Sequence, residues 1–213
     1  MKPVSKESVV LIHGLWLPEL CLRPLARRLE RQGLTVHLFS YPSVHADLCT
    51  NAGRLTHFLA TLTAATVHLV GHSLGGILIR ALFHHHPNQK PGRIVTLGTP
   101  HGGSQVAQYL SQYACWRQAM GKSVADLLGG IPQNWLPPMR EMGTISGRRS
   151  FGMGRLVYRH LSAPNDGLLT VEESAFVGAC DHIELPVSHT GMLFSCAVAR
   201  RVSAFLTTGH FDL

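Results

Sequence analysis

Apolar residues along the chain fall into two alternating patterns. Val9-Val10-Leu11-Ile12, Val67-His68-Leu69-Val70 and Arg93-Ile94-Val95-Thr96-Leu97 are short, nearly continuous apolar runs, the pattern of strands covered on both faces in a parallel sheet. Leu34-Thr35-Val36-His37-Leu38-Phe39, Met142-Gly143-Thr144-Ile145-Ser146-Gly147 and His182-Ile183-Glu184-Leu185-Pro186-Val187 read as three further strands. Between them the period changes to that of a helix. Leu22, Leu25, Ala26 and Leu29 recur at i, i+3, i+4 and i+7, with Pro24 in the first turn and Gly33 as the stop. Leu48, Ala52, Leu55, Leu59 and Leu62 mark a second helix with Asp47 as its cap, and Ile77 to Phe83 a third that ends at His84-His85-His86-Pro87. Met192, Cys196, Ala199, Val202, Phe205 and Leu206 give the face of a closing helix. Strand and helix in alternation predict an α/β fold, a mostly parallel central sheet with helices on both faces.

Regularity lapses between Gly98 and Pro138. Val106, Ala107 and Leu110 predict one short helix, after which Trp116, Met120, Leu127, Leu128, Ile131, Trp135, Leu136 and Met139 follow no clear period. Such a segment, within 104–140, fits either a small cap over a functional edge or an ordinary packed excursion. With no repeat, low-complexity stretch or linker, residues 1–213 read as one domain.

Composition narrows the function classes. Hydrophobic residues make up 45% of the 213 and charged ones 15%, an ordinary globular balance. No apolar stretch approaches the roughly 18 residues that span a bilayer. The N-terminus carries charge but no separate apolar region with a cleavage site, which predicts a chain not exported by a standard signal. Five scattered cysteines without a CxxC pair predict reduced thiols and a cytoplasmic location. The net charge is +7, yet Arg27-Arg28, Arg148-Arg149 and Arg200-Arg201 are the densest basic pairs. That dispersion reads as a solvated basic surface without nucleic-acid binding, and leaves weak attraction to acidic membrane surfaces open. Three consecutive histidines, 84 to 86, point in different directions around a helix and predict no metal site.

Chemistry concentrates at Gly71-His72-Ser73-Leu74-Gly75-Gly76. An apolar strand runs in and a helix runs out, so the GxSxG match becomes a strand, sharp turn and helix with Ser73 at the apex. A serine hydroxyl needs a base oriented by a carboxylate. Among fourteen histidines, His189 sits on the loop between the last strand and the closing helix, and Asp166 in the turn-forming Pro164-Asn165-Asp166-Gly167. The order Ser73, Asp166, His189 is the one this strand-turn-helix architecture uses. His72 points away from Ser73 into a structural hydrogen bond, His101 breaks the order, and His182 lies within a strand. Asp181 is too close to the last strand, and Glu172 and Glu173 read as solvated. An oxyanion needs two backbone donors, assigned to the amide of Leu74 and to that of Leu15 in His13-Gly14-Leu15-Trp16.

Taken together, Leu11-Ile12-His13-Gly14-Leu15, Gly71 to Gly76, Thr99-Pro100-His101-Gly102-Gly103-Ser104, Asn165-Asp166-Gly167 and Ser188-His189-Thr190-Gly191 resemble the α/β-hydrolases, in their lipase and esterase branch. The likeness is to small bacterial lipase-like hydrolases and, more distantly, to inositol deacylases that act on lipid anchors. It implies Ser73 as nucleophile, Asp166 and His189 as its partners, Leu15 and Leu74 as oxyanion donors, and no metal or organic cofactor. The expected substrate is a small-molecule or lipid-like carboxylic ester. Trp16, Leu17 and the apolar residues from Trp116 to Met139 predict a hydrophobic acyl pocket. An acyltransferase with the same triad and a hydrolase fold used only for binding are the alternatives.

Overall fold

The computed structural model describes residues 7–212, apart from the side chains at 131, 133 and 153. The N-terminal residues 1–6, and the side chain of Ile131 in the irregular segment, therefore lie outside the described residues. Six strands, β1 (Glu7–Ile12), β2 (Thr35–Phe39), β3 (Thr66–His72), β4 (Ile94–Leu97), β5 (Met142–Gly147) and β6 (Asp181–Leu185), form one sheet in the order β2-β1-β3-β4-β5-β6. Every adjacent pair is parallel.

Because strand side chains alternate, the continuous apolar run of β1 divides between two cores. Val9 and Leu11 pack with Leu22, Leu25 and Leu29 of the first helical segment and with Val198, Val202 and Phe205. Val10 and Ile12 pack on the opposite face with Leu55, Ile77 and Leu78. The helices involved are α1 (Arg23–Glu30) and α8 (Cys196–Thr208) on one side, and α2 (Leu48–Thr61) and α3 (Leu74–His85) on the other. Asp47 caps α2 by accepting from the Thr50 amide at 2.7 Å, as its position before the apolar period predicts. The closing helix begins at Cys196, four residues later than the spacing from Met192 predicts, because Thr190–Phe194 winds as a 3-10 turn first. β6 stops at Leu185 instead of running to Val187, since Pro186 lacks the N–H a ladder needs.

The chain passes from β1 outward to β2 and then returns to the other side of β1 as β3. Reversals of this kind open a crevice at the carboxyl ends of the two strands, where α/β sheets hold their ligands. Here that crevice lies between the ends of β1 and β3, with Ile12 opposite Gly71.

Close approach at the crevice demands glycine. A Cβ on Gly75 would lie 2.4 Å from the Ile12 carbonyl oxygen and 2.7 Å from that of His13, and neither backbone can yield. Gly75→Ala is expected to destabilise by about 3 kcal/mol, at the top of the usual overpacking range. Gly53→Ala, inside α2 with only His86 Nε2 at 3.9 Å, is expected to stabilise by up to about 1 kcal/mol. Denaturant midpoints measure both, and equal effects of the two substitutions would contradict the steric argument.

Candidate active site

Ser73 is the residue between β3 and α3, with φ 53° and ψ −124°. A non-glycine residue in that region costs about 1–3 kcal/mol and persists only where its surroundings enforce it. Enforcement is visible on both sides. The Ser73 amide donates to the Leu97 carbonyl at 2.9 Å, and its carbonyl accepts from Thr99 Oγ1 at 3.0 Å. The next residue, Leu74, opens α3, where backbone amides have no partner within the helix and the dipole favours negative charge.

Asp166 and His189 meet on the loops after β5 and β6. His189 Nδ1 donates to Asp166 Oδ2 at 2.7 Å, and the His189 amide donates to the Asp166 carbonyl at 2.8 Å. The other carboxylate oxygen accepts from the amides of Leu168 at 2.9 Å and Leu169 at 2.7 Å. Burial pushes the Asp166 carboxyl up, but the adjacent His189 and the two amides outweigh it and hold the group below the ordinary carboxylate range. Gly98, with φ 51°, passes beneath the pair, and a Cβ there would come within 3.1 Å of both Asp166 Oδ2 and His189 Nδ1. His72 donates from Nε2 to the His189 carbonyl at 3.1 Å, and the two imidazole rings lie 4.8 Å apart. Its burial, together with the nearby His189, lowers its pKa to about 3, so it acts as a neutral brace.

The loop after β1 is pinned by His13. Its Nδ1 donates to the Gly14 carbonyl at 2.8 Å and its Nε2 accepts from the Tyr41 amide at 3.3 Å, while the Tyr41 hydroxyl donates to the His13 carbonyl at 3.0 Å. Burial lowers the His13 pKa, consistent with the neutral tautomer those bonds require. A Cβ on Gly14 would lie 2.9 Å from Ser73 Cβ, so the backbone that leads to Leu15 runs directly against the serine.

The irregular segment forms more helix than its pattern predicts. α4 (Gln105–Ser111) corresponds to the expected short helix, but α5 (Ala114–Leu128) follows it, broken at Gly121, where φ is 74°. The break falls between Met120 and Val124, which with Leu127 keep the spacing i, i+4 and i+7 on the buried side. It also allows the chain to press on Val44, whose carbonyl accepts from the Lys122 amide at 3.0 Å. The Ala119 carbonyl, just before the break, accepts from Trp16 Nε1 at 2.9 Å. Trp16 itself has φ 59°, and its ring lies 6.2 Å from that of Trp116.

Ser73, His189, Leu15, Leu74, Trp16 and Leu17 line one cavity of about 410 Å³. Asp166 stands behind His189 and does not line it. The remaining walls are mainly apolar, with Leu110 of α4, Val124 and Leu127 of α5, and Leu168 and Leu169 prominent. Residues of the segment 104–140, from Ser104 to Leu127, thus contribute to the lining of this cavity.

Other polar residues are structural. His182 bonds to Thr144 Oγ1 within the sheet, and the Asp181 carboxylate accepts from the Phe211 amide at 2.7 Å. His101 is buried against Phe176 and bonds to Thr96 Oγ1 at 3.0 Å. Glu173 departs from its reading as solvated. It is 8% exposed, forms a capping box with Thr170 at the start of α7 (Val171–Ser174), and accepts from the Gln105 amide. Burial raises its pKa. The cue available in sequence was the Thr-x-x-Glu spacing from Thr170 to Glu173. Among the described residues, no three His, Cys, Asp or Glu side chains gather to hold a metal ion.

A model of the alpha/beta hydrolase family matches residues 9–211. The structure is similar to the mature form of the lipase BlEst2 from Bacillus licheniformis, with a TM-score of 0.76 and 21% identity over 98% of this chain and 93% of that one. It is also similar to the metagenomic carboxyl esterase MGS0156, with a TM-score of 0.66 and 17% identity over 89% of this chain and 66% of the other. The pyrethroid hydrolase PytH gives a TM-score of 0.62 at 16% identity, over 95% and 98% of the two chains. No curated protein sequence matches. At these identities the likeness establishes a shared fold.

Proposed function

The chain belongs to the alpha/beta hydrolase family, and from that premise we propose that it is a one-domain serine hydrolase that cleaves carboxylic esters through an acyl-serine intermediate. The observation that carries the reading is the meeting of three features in one apolar cavity: Ser73 at a positive φ, His189, and the Asp166 carboxylate bonded at 2.7 Å behind it. Similarity to an esterase and a lipase supports the same reading.

In this mechanism His189 Nε2 takes the Ser73 hydroxyl proton as Oγ attacks the ester carbonyl carbon. Asp166 keeps the proton of His189 on Nδ1, so that Nε2 is free to accept. The tetrahedral oxyanion forms beside the amides of Leu15 and Leu74. Its collapse breaks the bond to the leaving alcohol, which receives the proton from His189. Water, activated by the same histidine, then attacks the acyl-serine and releases the acid with Ser73 restored. No step calls for a cofactor. Removing an oxyanion donor costs about 3–4 kcal/mol where it has been measured, which makes the fixed position of the Leu15 loop part of the chemistry. Trp16 and Leu17 contact the acyl chain in the cavity. The five free thiols support a reducing, cytoplasmic setting, and no helix among the described residues is long and apolar enough to cross a membrane.

The test is hydrolysis of p-nitrophenyl esters of increasing acyl length. A roofed apolar cavity of about 410 Å³ is expected to favour the butyrate and octanoate over the acetate, which leaves the walls unfilled, and over the palmitate, which overfills it. Absence of turnover on every ester by the folded protein would overturn the reading.

A further inference from the structure

Helix α6 (Met153–Val157) stands between two cavities. Gly154 and Val157 line the Ser73 cavity, whereas Arg155 and Leu156, with Ser150, Phe151, Gly152 and Arg159, line a second groove of about 600 Å³. Phe151 and Leu156 are each 74% exposed. Trp16 and Trp116, which also line the Ser73 cavity, are 52% and 38% exposed. Large apolar side chains left in water at the second groove and at the Ser73 cavity, on either side of α6, mark a contact surface.

Along the chain from 142 to 165 the charge has a single sign. Arg148, Arg149, Arg155 and Arg159 fall in this stretch, and no acidic residue occurs between Glu141 and Asp166. Arg148 pairs with Glu184 at 3.2 Å, and Arg155 Nη1 donates to Ser150 Oγ at 2.8 Å. Among the described residues no ion pair involves Arg149, Arg155 or Arg159. Exposed apolar side chains interleaved with unpaired guanidinium groups suit the boundary between acyl chains and anionic headgroups. Arginine in particular matches phosphate geometry.

We propose that this rim docks the protein on an anionic phospholipid bilayer. Phe151 and Leu156 enter the acyl boundary, Arg155 and Arg159 engage headgroup phosphates, and a lipid acyl ester then reaches the cavity on the far side of α6. The docking stands on the surface itself, and only the last step rests on the ester-hydrolase reading.

The experiment is co-sedimentation of the full chain carrying Ser73→Ala, which prevents consumption of the lipid, with vesicles of phosphatidylcholine alone or mixed with phosphatidylglycerol. Binding is expected to the mixed vesicles and to weaken with salt. Adding Arg155→Ala/Arg159→Ala is expected to reduce it roughly thirtyfold, and adding Phe151→Ser/Leu156→Ser is expected to reduce it as well. Arg27→Ala/Arg54→Ala, which removes the same charge from exposed positions on α1 and α2, is expected to have little effect. Thermal unfolding midpoints establish that each variant is folded. An equal loss in the Arg27/Arg54 control would assign the attraction to net charge and overturn the proposal. Equal binding to both vesicle types, or competition by duplex DNA at matched phosphate concentration, would overturn it too. Because binding is read without turnover, an inactive wild type would sink the ester-hydrolase reading and leave the docking result standing.

Discussion

Ser73→Ala is expected to lower kcat/KM on a p-nitrophenyl ester by about ten-thousandfold or more, the scale seen when a serine hydrolase loses its nucleophile. Folding should be unchanged. The strained backbone at φ 53° is held by main-chain and Thr99 contacts, and alanine keeps the Cβ that meets Gly14. A fluorophosphonate probe should label the wild type and leave the variant unlabelled. Adding His189→Ala to Ser73→Ala should cost almost nothing further, because the two act as one unit. Turnover in the folded variant near that of the wild type would remove Ser73 from the chemistry.

A second large loss is expected from Asp166→Asn. Oδ1 is committed to the amides of Leu168 and Leu169, so the new amide nitrogen must take the position of Oδ2, opposite His189 Nδ1. Two donors then face each other. The imidazole relieves this by moving its proton to Nε2, the atom that must accept from Ser73. A fall in kcat of about ten-thousandfold follows from the wrong tautomer, with KM little altered. A loss below tenfold would show that the carboxylate does not set the tautomer.

The same substitution has a pH signature. Asp166 is held below its ordinary pKa in the fold, so its contribution to stability is complete above about pH 3.9, the unfolded value, and is lost as pH falls through the lower folded one. The gap in Tm between wild type and Asp166→Asn should be widest near neutrality and shrink below about pH 4. A gap of constant size would assign the effect to packing.

Much of this architecture was legible in the residue pattern because parallel strands covered on both faces have no polar side to disguise them. The three apolar runs map onto the central strands β1, β3 and β4, the three mixed stretches onto β2, β5 and β6, and the glycines around Ser73 mark a turn that no Cβ tolerates. Asp166 and His189 could be picked out by chain order, and the structure joins them by a hydrogen bond. What resisted reading was the segment after β4. Met120, Val124 and Leu127 lie buried at i, i+4 and i+7 of α5, a short helical period that Gly121 interrupts after its first member and that irregular apolar residues on either side obscure. Glu173 was misread for a different reason. Its capping box with Thr170 is written locally in the Thr-x-x-Glu spacing, but its bond to the amide of Gln105, 68 residues away in sequence, leaves no local trace.

The bond from Trp16 Nε1 to the Ala119 carbonyl ties access to competence. Trp16 follows Leu15 directly, so this one bond joins α5 to the peptide that carries the proposed Leu15 donor, and the roof and the anion pocket share a single anchor.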